Sequence, residues 1–131
     1  MSESAKTPLT GLKVLIVEDE ALVSMLLEDM LSDLGCEVVG PIMRLREALA
    51  MAQDRAQAID LAILDVNLAG ERSFPVAEAL EARGCRFVLS TGYDDAGIEE
   101  RWRARPLLRK PFLPHELERA LHEALTGMQA A

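Results

Sequence analysis

The sequence predicts an α/β fold: a doubly wound parallel sheet of five strands with five helices packed on its two faces. Three observations predict it. Five short apolar runs alternate with five helical stretches along the chain, the order that builds parallel sheets from strand-helix-strand units. Three of the runs are continuous rather than alternating, as strands buried on both faces read. Glycine closes and proline opens several of the helical stretches, which is where those residues belong.

The first run is Val14–Val17. From Ala21 to Leu34, apolar residues at Leu22, Leu26, Met30 and Leu34 give a helix, and Gly35 stops it. Val23, Met25, Leu27 and Leu31 add more apolar surface than one core face takes up, so part of this helix reads as a docking face. Val38–Val39 is the second run, followed by a stripe at Leu45, Ala48, Leu49 and Ala52. Leu61–Leu64 is the third, followed by Phe74, Ala77 and Leu80 and then Gly84. Phe87–Leu89 is the fourth. The helix after it, Asp94 to Arg103, contains Gly97 and only Ile98 and Trp102 as anchors, so it is expected to be short or mobile. Leu107–Leu108 is the fifth run. Pro114 then opens a last helix carrying Leu117, Leu121, Ala124 and Leu125.

A chain of 131 residues fits one domain. Residues 11–126 are expected to form it, with flexible tails at 1–10 and 127–131 and no output domain. The net charge of −8 disfavours nucleic acid as a partner, because a phosphate backbone needs a basic footprint. A basic cluster, Arg101, Arg103, Arg105, Arg109 and Lys110, holds one aromatic, Trp102, and reads as a solvated helix end or a protein-docking face. Cys36 and Cys85 flank apolar segments without metal-ligand spacing and read as buried thiols. No stretch approaches the roughly 18 apolar residues of a membrane span, and the first ten residues lack the apolar run of a signal peptide. A cytoplasmic protein is expected. His115 and His122 read as ordinary residues of the last helix.

Ligands of open parallel α/β sheets bind at the carboxyl ends of the strands. The first strand ends in Glu18-Asp19-Glu20, the third in Asp65, the fourth in Ser90-Thr91-Gly92 and the fifth in Lys110. Acids, a hydroxyl and an ammonium therefore converge on one rim. Carboxylates crowded together repel, and a hard divalent cation relieves them. Asp19 and Asp65 are the candidate direct ligands, Glu18 acts directly or through water, and the Asn67 main-chain carbonyl is a further candidate. Phosphoryl transfer needs positioning and charge neutralisation. Asp65 would supply the attacking oxygen, while Lys110 and Thr91 would hold phosphoryl oxygens. Glu20, Glu28 and Asp33 read as surface acids.

The segments Val-Leu-Ile-Val-Glu-Asp-Glu (14–20), Ile-Leu-Asp-Val-Asn-Leu (63–68), Leu-Ser-Thr-Gly-Tyr (89–93) and Lys-Pro-Phe (110–112) resemble the receiver domains of two-component response regulators. The resemblance covers Leu12 to Leu125. It implies a flavodoxin-like sheet in the order 2-1-3-4-5 and phosphorylation by a histidine kinase. Asp65 matches the phospho-acceptor, Glu18 and Asp19 the metal acids, Thr91 the switch hydroxyl and Lys110 the phosphate-sensing lysine. The implied cofactor is Mg²⁺, with Mn²⁺ as a substitute. The implied partners are the kinase and a downstream protein or histidine phosphotransfer partner, for a chain that is a monomer or weak dimer.

Three positions depart from the common pattern. Leu107 stands where receivers often carry an aromatic, Ala69 where many carry proline, and Glu18 where many carry aspartate. The Ser-Thr-Gly-Tyr segment is similar to stand-alone receivers paired with unorthodox kinases, which points to Gly92 and Tyr93 as switch modifiers alongside Leu107. Two other classes compete. A dehalogenase-type phosphohydrolase would need an acid two residues after its nucleophile, where Asn67 stands, and a nucleophile on the first strand. A phosphorylation-independent interaction module would not need the complete acid, hydroxyl and lysine set.

Overall fold

The computed structural model describes residues 9–92 and 98–127. Strands β1 (Lys13–Val17), β2 (Glu37–Ile42), β3 (Leu61–Asp65), β6 (Arg86–Thr91) and β7 (Leu107–Arg109) form a parallel sheet in the order β2-β1-β3-β6-β7. Two short strands, β4 (Asn67–Leu68) and β5 (Glu71–Arg72), pair separately as an antiparallel hairpin. Counting the main sheet alone, the order is 2-1-3-4-5, as expected.

Alternation along the strands divides the core in two. Leu15, Val17, Ala62, Leu64, Phe87 and Leu89 face α2 (Leu45–Gln53) and α3 (Phe74–Ala82), packing with Ala48, Ala52, Ala77 and Leu80. Val14, Ile16, Leu61, Ile63 and Val88 face α1 (Ala21–Asp33) and α5 (Pro114–Gly127), packing with Leu27, Leu31, Leu117 and Leu121. The central strands are therefore buried on both sides, which is why their sequences run apolar without a break. On α1 the core stripe runs through Leu27 and Leu31 rather than Leu22 and Leu26, which are exposed together with Met25, so the helix does carry more apolar surface than the core takes up.

β2 reaches well beyond the Val38–Val39 run. It continues through a cis Gly40–Pro41 bond to Ile42, with the register slipping between Leu15 and Val17 of β1. Proline fits because β2 is an edge strand and owes no ladder bond outward. Gly40 is required: its φ is 94°, and an added Cβ would stand 2.9 Å from the Ile42 N. Beyond the bulge, Glu18 N–H donates to the Ile42 carbonyl at 3.0 Å, which fixes the first acid of the rim.

Helix α4 (Glu100–Arg103) is short, as the sparse anchors predict; residues 93–97, where its expected start falls, lie outside the described residues. Trp102 pins it. The ring is 1 % exposed, stacks on Phe74 at 5.8 Å and meets Phe87 at 6.0 Å. Part of the basic cluster around it is paired with acids, while Arg101, Arg103 and Arg109 stay exposed. Arg101 pairs with Glu78 and Glu81 of α3, and Arg105 pairs with Glu81. Arg101 also lies over the Trp102 ring. Cys85 is buried, and burial pushes its thiol up to about 11, so it stays protonated and inert. Cys36 is half-buried.

Trp102→Ala is expected to cost about 3–5 kcal/mol, the usual range for a buried indole. Urea unfolding measures this directly; a loss below about 1 kcal/mol, as for an ordinary surface change, would contradict the anchoring role.

Candidate functional site

The carboxyl edge of the sheet brings the expected residues together. β1 delivers Glu18 and Asp19, β3 delivers Asp65, and oxygen atoms of the three lie within 4.8 Å of one another. The Lys110 residue that follows β7 reaches across to them. Its Nζ donates to Asp65 Oδ2 at 3.0 Å and to Glu18 Oε2 at 3.3 Å. Glu18 Oε1 lies 3.0 Å from Nζ but out of hydrogen-bond alignment, and it is buried without accepting a hydrogen bond.

Several main-chain bonds hold this arrangement. Asn67 N–H donates to Asp65 Oδ1 at 3.2 Å. The Asn67 side chain is engaged elsewhere, accepting from Gly70 N–H at 2.9 Å across the β4–β5 turn. Both residues of that turn, Ala69 and Gly70, have positive φ, as two-residue hairpin turns of this kind require. Thr91 is buried at the end of β6, and its carbonyl accepts the Lys110 N–H at 2.8 Å. Thr91 and Lys110 are thus tied main chain to main chain across neighbouring strands.

Two contributors escaped the sequence reading. Ser73 is fully buried and donates its hydroxyl to the Asp65 carbonyl at 2.6 Å, clamping the residue from behind. Glu20, read as a surface acid, places Oε1 3.2 Å from Lys110 Nζ. Its side chain is 60 % exposed, so the surface reading is half right. Position in a turn between strand and helix gives no sequence signal for either contact.

The electrostatics follow from crowding. Burial first, then the adjacent Glu18 carboxylate, push the Asp65 carboxyl up to about 7, while its hydrogen bond to Lys110 pulls it partly back. Burial works against the Lys110 charge, but hydrogen bonds to Asp65 and Glu18 outweigh it and the net shift is upward. The lysine stays charged; the carboxylates remain under-compensated. Hard oxygen donors this close, one of them a buried oxygen without a hydrogen bond, fit a small divalent cation.

Gly92 lies beside this rim and lines a groove of about 320 Å³ with Glu20, Val23, Leu26, Met30, Lys110, Pro111 and Phe112. Leu107 lies on the outer strand β7 with its side chain turned outward and 45 % exposed. The Lys110–Pro111 bond is cis. Tyr93 lies outside the described residues.

A five-stranded parallel sheet whose acidic rim is crossed by one lysine is receiver architecture, and the chain belongs to the response regulator receiver domain family, whose model matches residues 14–122. The phosphohydrolase alternative falls with that assignment. The chain is 47 % identical to SdrG from Sphingomonas melonis Fr1, covering 92 % of this chain and 99 % of that one, with a TM-score of 0.80. The BeF3-activated conformation of SdrG, from Pseudomonas melonis Fr1, is 48 % identical over 86 % of this chain and 94 % of that one, with a TM-score of 0.72. The transcriptional regulatory protein PdtaR of Mycobacterium tuberculosis (strain CDC 1551 / Oshkosh) is 34 % identical over 118 residues, which is 87 % of this chain and 57 % of that protein. The chain spans little more than half the length of that curated relative. No helix among the described residues is long and apolar enough to cross a membrane.

The Asp65 shift has a measurable consequence. Between about pH 4 and pH 7 the native state keeps a proton that the unfolded chain has released. The contribution of this group to stability therefore falls as pH rises through that window. In chelator-treated protein, Asp65→Asn should flatten the decline of melting temperature with pH over that range and should melt higher than the parent above pH 7. An unchanged slope in the variant would show that Asp65 is not the strained group.

Proposed function

We propose that this chain is a phospho-accepting signalling switch: Asp65 takes a phosphoryl group from the phosphohistidine of a kinase, and the modified domain acts through protein contacts. The observation that carries the reading is the placement of Asp65, within 4.8 Å of two further acids and 3.0 Å from the Lys110 ammonium.

Mg²⁺, or Mn²⁺ in its place, would be held by Glu18, Asp19, Asp65 and the Asn67 main-chain carbonyl, and when bound it supplies positive charge to the phosphoryl oxygens. Asp65 attacks phosphorus with a carboxylate oxygen. The phosphorus–nitrogen bond to the donor histidine breaks, its electron pair stays on the imidazole, and an acyl phosphate remains on Asp65. Lys110 holds one phosphoryl oxygen as a point charge. The Thr91 hydroxyl holds another, with a nearby main-chain N–H. The main-chain bond between Thr91 and Lys110 makes both respond together. Movement then passes to the segment that begins at Gly92 and Tyr93 and on to α4. Full switching from a mostly inactive population requires the phosphoryl group to favour the active state by about 5 kcal/mol.

The exposed Leu22, Met25 and Leu26 of α1, the last of which lines the groove beside Lys110, supply the face on which the kinase, of the unorthodox subgroup, docks. A downstream protein or a histidine phosphotransfer partner receives the signal. The protein works in the cytoplasm, as a monomer or weak dimer.

Incubation with acetyl phosphate and Mg²⁺, followed by mass spectrometry, tests the reading. One phosphoryl group on Asp65 is expected, none in Asp65→Asn, and near-parental labelling in Lys110→Ala with loss of the amide shifts that report switching. No label on the parent protein would leave an interaction module that works without phosphorylation. Leu107→Tyr should change labelling and response by no more than about twofold, because the side chain points outward. A strong gain or loss would restore a switching role to that position.

A further inference from the structure

We propose that Glu20 is the resting partner of Lys110 that a phosphoryl oxygen displaces, so that this glutamate sets how tightly Asp65 holds a phosphoryl group. The inference rests on the phospho-acceptor reading above.

An ammonium has three protons to donate. Three carboxylates already surround Lys110 Nζ: Asp65 Oδ2 at 3.0 Å, Glu18 at 3.0 and 3.3 Å through its two oxygens, and Glu20 Oε1 at 3.2 Å. A phosphoryl oxygen on Asp65 competes for the ammonium with the carboxylates that keep their charge, Glu18 and Glu20. The three differ in what release costs. Asp65 gives up its carboxylate charge when it carries the phosphoryl group, and Glu18, 1 % exposed, has no water to take over its contact with the lysine. Glu20 has a 60 % exposed side chain, so water takes over its hydrogen bonds at little cost.

Glu20 also stands outside the group of acids whose oxygens cluster within 4.8 Å, so cation binding does not hold it. Its main-chain N–H, in contrast, donates to Glu18 Oε2 at 3.0 Å. The backbone stays fixed while the side chain lets go. Glu20 is thus a positioning residue acting through Lys110. It competes with the phosphoryl group for one cation and takes no part in the transfer itself.

Beryllofluoride, a stable phosphoryl mimic, tests this when titrated into the full chain with Mg²⁺ and followed by amide shifts. Glu20→Gln should bind it about two- to fivefold more tightly, the range an exposed ion pair allows. Glu20→Asp keeps the charge but withdraws it from Nζ, and should share the gain. A mainly structural role would weaken binding in both variants. Equal affinity for Glu20→Gln and the parent overturns the proposal. So does parental affinity for Glu20→Asp alone, because the charge and not the contact would then be acting. Absence of beryllofluoride binding by the parent protein would instead overturn the phospho-acceptor reading, and this inference with it.

Discussion

A single ammonium set among three carboxylates organises the working end of this molecule. Lys110 touches Asp65, Glu18 and Glu20, and Asp19 crowds in beside them. One positive charge cannot balance that set, so the site is left with a standing demand for more. Burial first, and this crowding second, push the Asp65 carboxyl up. A cation meets part of the demand. A phosphoryl group then rearranges the rest, because it brings new negative oxygens to the same lysine. The chemistry and the switching are therefore two uses of one electrostatic imbalance.

The fold exists, at this edge, to hold that imbalance in place. Parallel pairing sets Asp65 beside Ser90, one residue before Thr91 on the next strand. The bulge at Gly40–Pro41 lets β2 run on to Ile42, whose carbonyl anchors Glu18. Ser73 clamps the Asp65 carbonyl from the start of α3. None of these groups touches the proposed reaction, yet each fixes an acid that would otherwise move away from its neighbours. On the far side, Trp102 and the Arg101 and Arg105 pairs with α3 tie down a four-residue helix that could not stand on its own turns.

Much of this was legible in the chain itself, and for a physical reason. Strands buried on both faces must be apolar, so a charged residue that closes such a run stands out, as Glu18 and Asp65 do, while Lys110 follows the half-exposed edge strand β7 and stood out by the Lys-Pro-Phe resemblance. Helical layers on both faces followed from the same alternation, whereas the strand order followed from the resemblance to receiver domains. Features set by geometry rather than polarity were not legible. The continuation of β2 through Gly40–Pro41 is hidden because that dipeptide reads as a turn, and only the edge position makes it a strand. The β4–β5 hairpin is too short to show a period. The pairing of Glu20 with Lys110 spans most of the chain, and the partners of Arg101 lie on a helix far upstream; contacts of that kind leave no local trace.

The idea that these acids form one cation-accepting unit is open to a direct check. Mg²⁺ titrated into the unphosphorylated protein, followed by amide resonances, should produce one saturable set of shifts. They should concentrate at Glu18, Asp19, Asp65 and Asn67, and they should weaken strongly in Asp65→Asn. Scattered, non-saturating shifts, or the same response in that variant, would mean that the rim does not bind the ion as a unit.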